Sequence, residues 1–69
     1  MKTNDKIIWD SGFGYSIGTY VKDRSKNDWL IGEHVTIKVQ NEMIVRKLEV
    51  LKYTEANLKK IKRKYNQDL

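Results

Sequence analysis

Five cations fill the six positions from Lys59 to Lys64, interrupted only by Ile61. Ammonium and guanidinium groups at that density can lie along a phosphate backbone, where each neutralised phosphate releases condensed counterions. Residues 57–69 hold five Lys/Arg against one acid, Asp68, a net of +4; residues 1–56 hold nine against eight, a net of +1. The positive field therefore belongs to one terminal element. A bland explanation competes: cations near a helix C-terminus oppose the negative end of the dipole, and a charged far face keeps a small protein soluble. Lys59, Lys60, Arg63 and Lys64 are the expected phosphate contacts. Arg24, Arg46 and Tyr20 are auxiliaries, Tyr20 as an exposed aromatic able to stack on a base. Lysine outnumbers arginine eleven to three, which suits a backbone binder better than a reader of base edges.

Other chemistry finds little purchase. His34 is the only histidine, and its strand neighbours place it beside Gly32, Thr36 and Lys38, while Glu33 points to the opposite face. A catalytic imidazole needs a nucleophile or an orienting carboxylate within reach, so His34 reads as an exposed strand residue. Gly12-x-Gly14-x-x-x-Gly18 has the outline of a phosphate loop, but its glycines lead into a strand, and no Gly-Lys-Ser/Thr follows. Corner glycines of a β-structure explain them better. Asp10, Asp23, Asp28, Glu33, Glu42 and Glu49 are scattered, with nothing marking a buried or pKa-shifted pair. The expectation is a non-enzymatic protein with no cofactor and no metal.

Sixty-nine residues make one domain near the lower limit for an unassisted core. There is no cysteine, so disulfides and Cys-based zinc sites are excluded as staples. The longest apolar runs are three residues, as in Ile7-Ile8-Trp9, far short of the roughly twenty of a membrane span or the seven of a signal core. A cytoplasmic setting is expected. Lys, Ile, Asn and Tyr total 27 of 69 residues, a bias suggesting an AT-rich genome such as that of a low-GC bacterium or its phages.

The positioning elements can be read in order. Residues 1–5 are polar, with nothing to pack, and read as a loose arm. Lys6–Asp10 is a short strand, and Ser11-Gly12-Phe13-Gly14 a turn. From Phe13 to Val21 the alternation puts Phe13, Tyr15, Ile17, Thr19 and Val21 on one, half-buried face and Gly14, Ser16, Gly18, Tyr20 and Lys22 on the other. Gly18 predicts a bulge or a barrel corner. A polar connector over Lys22–Asp28 leads to a second alternating stretch, Trp29–Gln40, with Trp9, Tyr15 and Trp29 expected in the core. Asn41-Glu42 can close a hairpin. Met43–Tyr53 then reads as one bent strand or two short ones, preferred through about Leu51. A helical alternative stays open, because Ile44, Leu48, Leu51, Leu58, Tyr65 and Leu69 fall on heptad positions. Over residues 54–69 the sequence predicts a helix. Thr54 is its N-cap, Tyr53 and Leu58 a hydrophobic staple, and Leu58, Ile61, Tyr65 and Leu69 an apolar stripe, with Lys62 at the margin of the cationic side.

The expected fold is mainly β with one C-terminal α-helix: about five short strands over residues 6–53, then the basic helix packed on one end. Gly18-Thr19-Tyr20-Val21, Val35-Thr36-Ile37-Lys38-Val39 and Leu48-Glu49-Val50-Leu51, read as successive strands, give the chain a pattern that resembles small SH3-like barrels of the Tudor or KOW kind. That resemblance implies binding to nucleic acid, ribosomal components or peptide segments, and carries no residue-level motif. The leading expectation is a nucleic-acid-binding accessory protein, for DNA or RNA, as monomer or homodimer and with no membrane association. The alternative is a protein-interaction module, such as a phage or plasmid factor docking on a host protein through an unpaired strand like Met43–Arg46.

Overall fold

A computed structural model describes residues 1–24 and 33–66. The strands are β1 (Lys6–Asp10), β2 (Tyr15–Asp23), β3 (His34–Lys38), β4 (Glu42–Arg46) and β5 (Val50–Lys52). A single 3-10 turn at Lys47–Glu49 separates β4 from β5, and one helix, α1 (Glu55–Tyr65), follows. The fold is thus mainly β with a C-terminal helix. Met43–Tyr53 holds two short strands, or parts of them, rather than one bent strand or a helix. Trp29, Ile31 and Leu69 lie outside the described residues.

All five strands form one antiparallel sheet in the order β4-β3-β2-β1-β5. β2 is the shared spine. Its first half, Tyr15 to Thr19, pairs with β1, and its second half, Thr19 to Asp23, pairs with β3. The handover occurs beside Gly18, where a Cβ would stand 2.4 Å from the carbonyl oxygen of Lys38. Only glycine admits that approach, so the corner expected at Gly18 is a steric necessity. Three residues on from Gly18 the register shifts between Tyr20 and Lys22, a bulge at Val21 that adds bend to the strand.

Period-two alternation builds the core on one side of this sheet. Ile7, Tyr20, Val35, Ile37, Val45 and Val50 form a buried cluster, with Trp9, Val39 and Met43 packed against it. Cross-strand pairs knit it together: Val35 faces Val45, Ile37 faces Met43, and Trp9 faces Val50. Each fully buried aliphatic side chain contributes roughly 1.5–3 kcal/mol. Ile8, also fully buried, lies on the opposite face of β1, between Ile17 on β2 and Leu51 on β5. α1 packs there, bringing down its one buried residue, Ile61.

Four expectations are corrected. Tyr20 is 7% exposed and belongs to the core; the inward face of β2 is the one with Ser16, Gly18 and Tyr20, because the sheet closes tightly around Gly18. Phe13, expected to share a half-buried face, lies before β2 in the turn and is wholly exposed. Of residues 1–5, expected to be a loose arm, Thr3, Asn4 and Asp5 are pinned to β2: the Asn4 amide donates to the Tyr20 carbonyl at 2.8 Å, the Tyr20 amide to the Asp5 carbonyl at 2.8 Å, and the Thr3 hydroxyl to the Val21 carbonyl at 2.9 Å. They satisfy backbone groups freed where β2 leaves β1 for β3. The β3–β4 turn also sits slightly earlier than Asn41-Glu42: Lys38 pairs with Glu42, leaving Val39 to Asn41 as the connection.

Candidate nucleic-acid interface

The cationic element is well built at its start. Thr54 is extended, and its hydroxyl oxygen accepts from the Asn57 amide at 3.1 Å, as an N-cap must. The Asn57 side chain donates to the Lys52 carbonyl at 2.9 Å, tying the first turn to β5. Glu55 places negative charge at the positive end of the helix, and Lys62, Arg63 and Lys64 occupy the last turn.

Rotation about α1 decides which cations are available. At about 100° per residue, and with Ile61 buried against the sheet, Lys62, Lys59, Arg63 and Lys60 follow one another around the outward arc. All four are exposed. Lys59 meets Glu55 at 3.5 Å, one turn away, in a largely exposed pair of small energetic weight. Among the described residues, Lys60, Lys62 and Arg63 have no carboxylate within ion-pair distance.

Lys64 is different, and its place among the free phosphate contacts is corrected. It lies about 60° from Ile61 on the inner margin and reaches Asp10 Oδ2 at 2.6 Å. Tyr65 donates its hydroxyl to Oδ1 of the same carboxylate and stacks its ring on Tyr15, with centroids 6.2 Å apart. Oδ1 also accepts the Gly12 amide at 3.0 Å. Asp10 therefore joins the β1–β2 turn to the last turn of α1. Its pKa is lowered to about 2, chiefly by the Lys64 hydrogen bond and then by that of Tyr65, with Gly12 adding to them against some desolvation. The Lys64 ammonium and the Tyr65 hydroxyl are both pushed up, each mainly by its hydrogen bond to Asp10. So one of the scattered carboxylates is strongly shifted after all.

The remaining expected residues are dispersed. Arg24 is half-buried, its Nε enclosed with no hydrogen-bond partner among the described residues, and its amide donates to the His34 carbonyl. Arg46 is exposed on β4, and Lys47 after it reaches Asp23 at 3.4 Å. Tyr20 offers no free ring, and burial raises its pKa, helped by Asp23. Sequence reasoning missed Lys62 as an outward cation, although centring the helical wheel on Ile61 finds it. It also missed Asp10, whose local signal is an aspartate two residues before a glycine in a turn.

Between α1 and the 3-10 turn runs a groove of about 250 Å³, with Leu48, Leu51 and Ile61 along it and Asp10, Lys60 and Lys64 at its edges. Among the described residues no cluster of three or more His, Asp or Glu could hold a metal ion, and no helix is long and apolar enough to cross a membrane. No family model, curated protein or solved structure matches the chain.

Proposed function

We propose that this protein binds nucleic acid without catalysing a reaction, laying the outward face of α1 along a phosphate backbone. One observation carries the reading: Lys59, Lys60, Lys62 and Arg63 form a contiguous exposed arc, of which, among the described residues, only Lys59 has an acidic neighbour. Uncompensated cations on one rigid element cost repulsion that a polyanion relieves, and counterion release then drives association. Lysine-rich contacts of this kind position a backbone and do not read bases. The strand order supports a reading of residues 6–53 as a small SH3-like barrel, a class whose members commonly bind nucleic acid, ribosomal components or peptides. A reduced, cytoplasmic setting accords with a chain that has no cysteine.

Titration of labelled oligonucleotides at two salt concentrations tests the proposal. With about four phosphates neutralised, affinity should fall roughly 50- to 150-fold between about 50 and 200 mM salt. Replacing Lys59, Lys60, Lys62 and Arg63 together by Gln should abolish both the binding and its salt dependence. Negligible binding at low salt would overturn it.

A second reading draws on β4, the end strand of the sheet order, where Ile44 is exposed and, among the described residues, no further strand pairs with the outer edge. Such an edge can add a strand from another protein, as a phage or plasmid factor would on a host target. The same fourfold variant separates the two readings, since a partner gripped by β4 would still be captured.

A further inference from the structure

The β1–β2 turn holds a second feature that points outward. Phe13 is 100% exposed, whereas the other described aromatic residues are at least partly covered. A 69-residue chain has few large apolar side chains, and it leaves this one in water. The turn that presents it is held on several sides. Gly12 sits at φ 90°, a conformation L side chains rarely adopt. The Ser11 amide and hydroxyl both donate to the Gly14 carbonyl at 3.0 Å, and the Phe13 amide donates to the Ser11 hydroxyl oxygen at 3.4 Å. Asp10 closes the turn through Gly12 and, with its other contacts, grips Lys64 and Tyr65. The turn's backbone is therefore anchored to the last turn of α1, which carries Lys62, Arg63 and Lys64, and from it the Phe13 ring projects into solvent. Three residues of chain place it within about 10 Å of Asp10.

We propose that Phe13 is a base-stacking residue, and that single-stranded nucleic acid, not duplex, is the preferred ligand of the cationic arc. The inference rests on the phosphate-binding reading above and deepens it. A backbone neutralised along Lys59–Arg63 carries its bases past the turn. An unpaired base has an open π-face for the ring, while a paired one is already closed on both sides by its neighbours. Stacking on phenylalanine is tolerant of base identity, which matches the lysine-rich, non-reading character of the helix. The backbone of the turn is already held before binding, so stacking need order only the rotamer of the ring itself.

The experiment compares single-stranded and duplex oligonucleotides against the full chain, Phe13→Ala and Phe13→Trp. Since the side chain touches nothing, both variants should melt as the parent does. Phe13→Ala should weaken single-strand binding roughly 5- to 100-fold, with the salt slope unchanged. Phe13→Trp should retain or improve it, and duplex binding should be weaker at the outset and indifferent to either change. Single-strand affinity unmoved by Phe13→Ala, alongside salt-dependent binding to both forms, would overturn the stacking role while leaving the phosphate reading intact. Absence of binding to either form removes both. Phe13-dependent binding to phosphatidylserine vesicles, or Phe13-dependent dimerisation in light scattering, in place of an effect on single strands, would assign the ring to a membrane or a second copy and overturn the inference equally.

Discussion

The two faces of β1 are held by different physics. On the inner face, Ile7 and Trp9 enter an apolar cluster fed by all five strands. On the outer face Ile8 and Ile61 are buried and Tyr65 stacks on Tyr15, and the docking adds a polar centre: one carboxylate receiving a lysine, a tyrosine and a backbone amide. Non-directional burial makes the inner face tolerant of small displacements and insensitive to acid, since the titratable member of the cluster is Tyr20, whose pKa burial raises. The outer face depends on a few directional contacts, each sensitive to protonation. The sheet should therefore survive changes that release the helix.

The largest effect should come from Ile7→Ala, which empties a fully buried site shared by three strands; a loss of about 3–5 kcal/mol by urea denaturation would leave little of a domain this small folded. Gly18→Ala comes next, at about 2–3 kcal/mol, since its methyl group meets the Lys38 carbonyl. If that variant melted like the parent, the tight corner in β2 would not exist.

Asp10→Asn should cost about 1–2 kcal/mol and erase a pH dependence. A carboxylate whose folded pKa is near 2, below its usual 3.8, stabilises the fold fully above about pH 4. That stabilisation disappears as pH falls through 2. Parent and variant should thus differ in denaturation midpoint at pH 6 and converge near pH 2. At the alkaline end the sign reverses, because the raised pKa values of Lys64 and Tyr65 favour the fold below their usual 10.5 and 10.0, and that support is lost as pH rises above them. The smallest effect belongs to Glu55→Gln. Its exposed pair with Lys59 should be worth nothing measurable in stability, yet removing the acid should tighten oligonucleotide binding severalfold at low salt.

The same contrast explains what could be read in the sequence. Local signals were legible: the alternation through β3, the Thr54 cap, the Gly18 corner and the apolar stripe of α1 each follow from residues a few positions apart. The inward face of β2 was not. Period two announces two faces without saying which is inside, and here both are partly covered, one by the sheet's own curvature and one by the helix. Tyr20 turned inward for that reason, whereas Phe13 is exposed because it precedes β2 in the turn. Lys64 could not be separated from the free cations either, since its partner Asp10 stands 54 residues away. The outward arc was readable in type and nearly so in membership, with Lys62 in place of Lys64.

One consequence follows from β2 dividing its pairing between β1 and β3. Neither half of the sheet can open without stripping partners from a strand the other half also needs. The most protected amides, at Ile7, Ile37 and the middle of β2, should therefore exchange with deuterium at one common rate, as a single cooperative unit. α1 lies outside that unit, and its amides should exchange sooner.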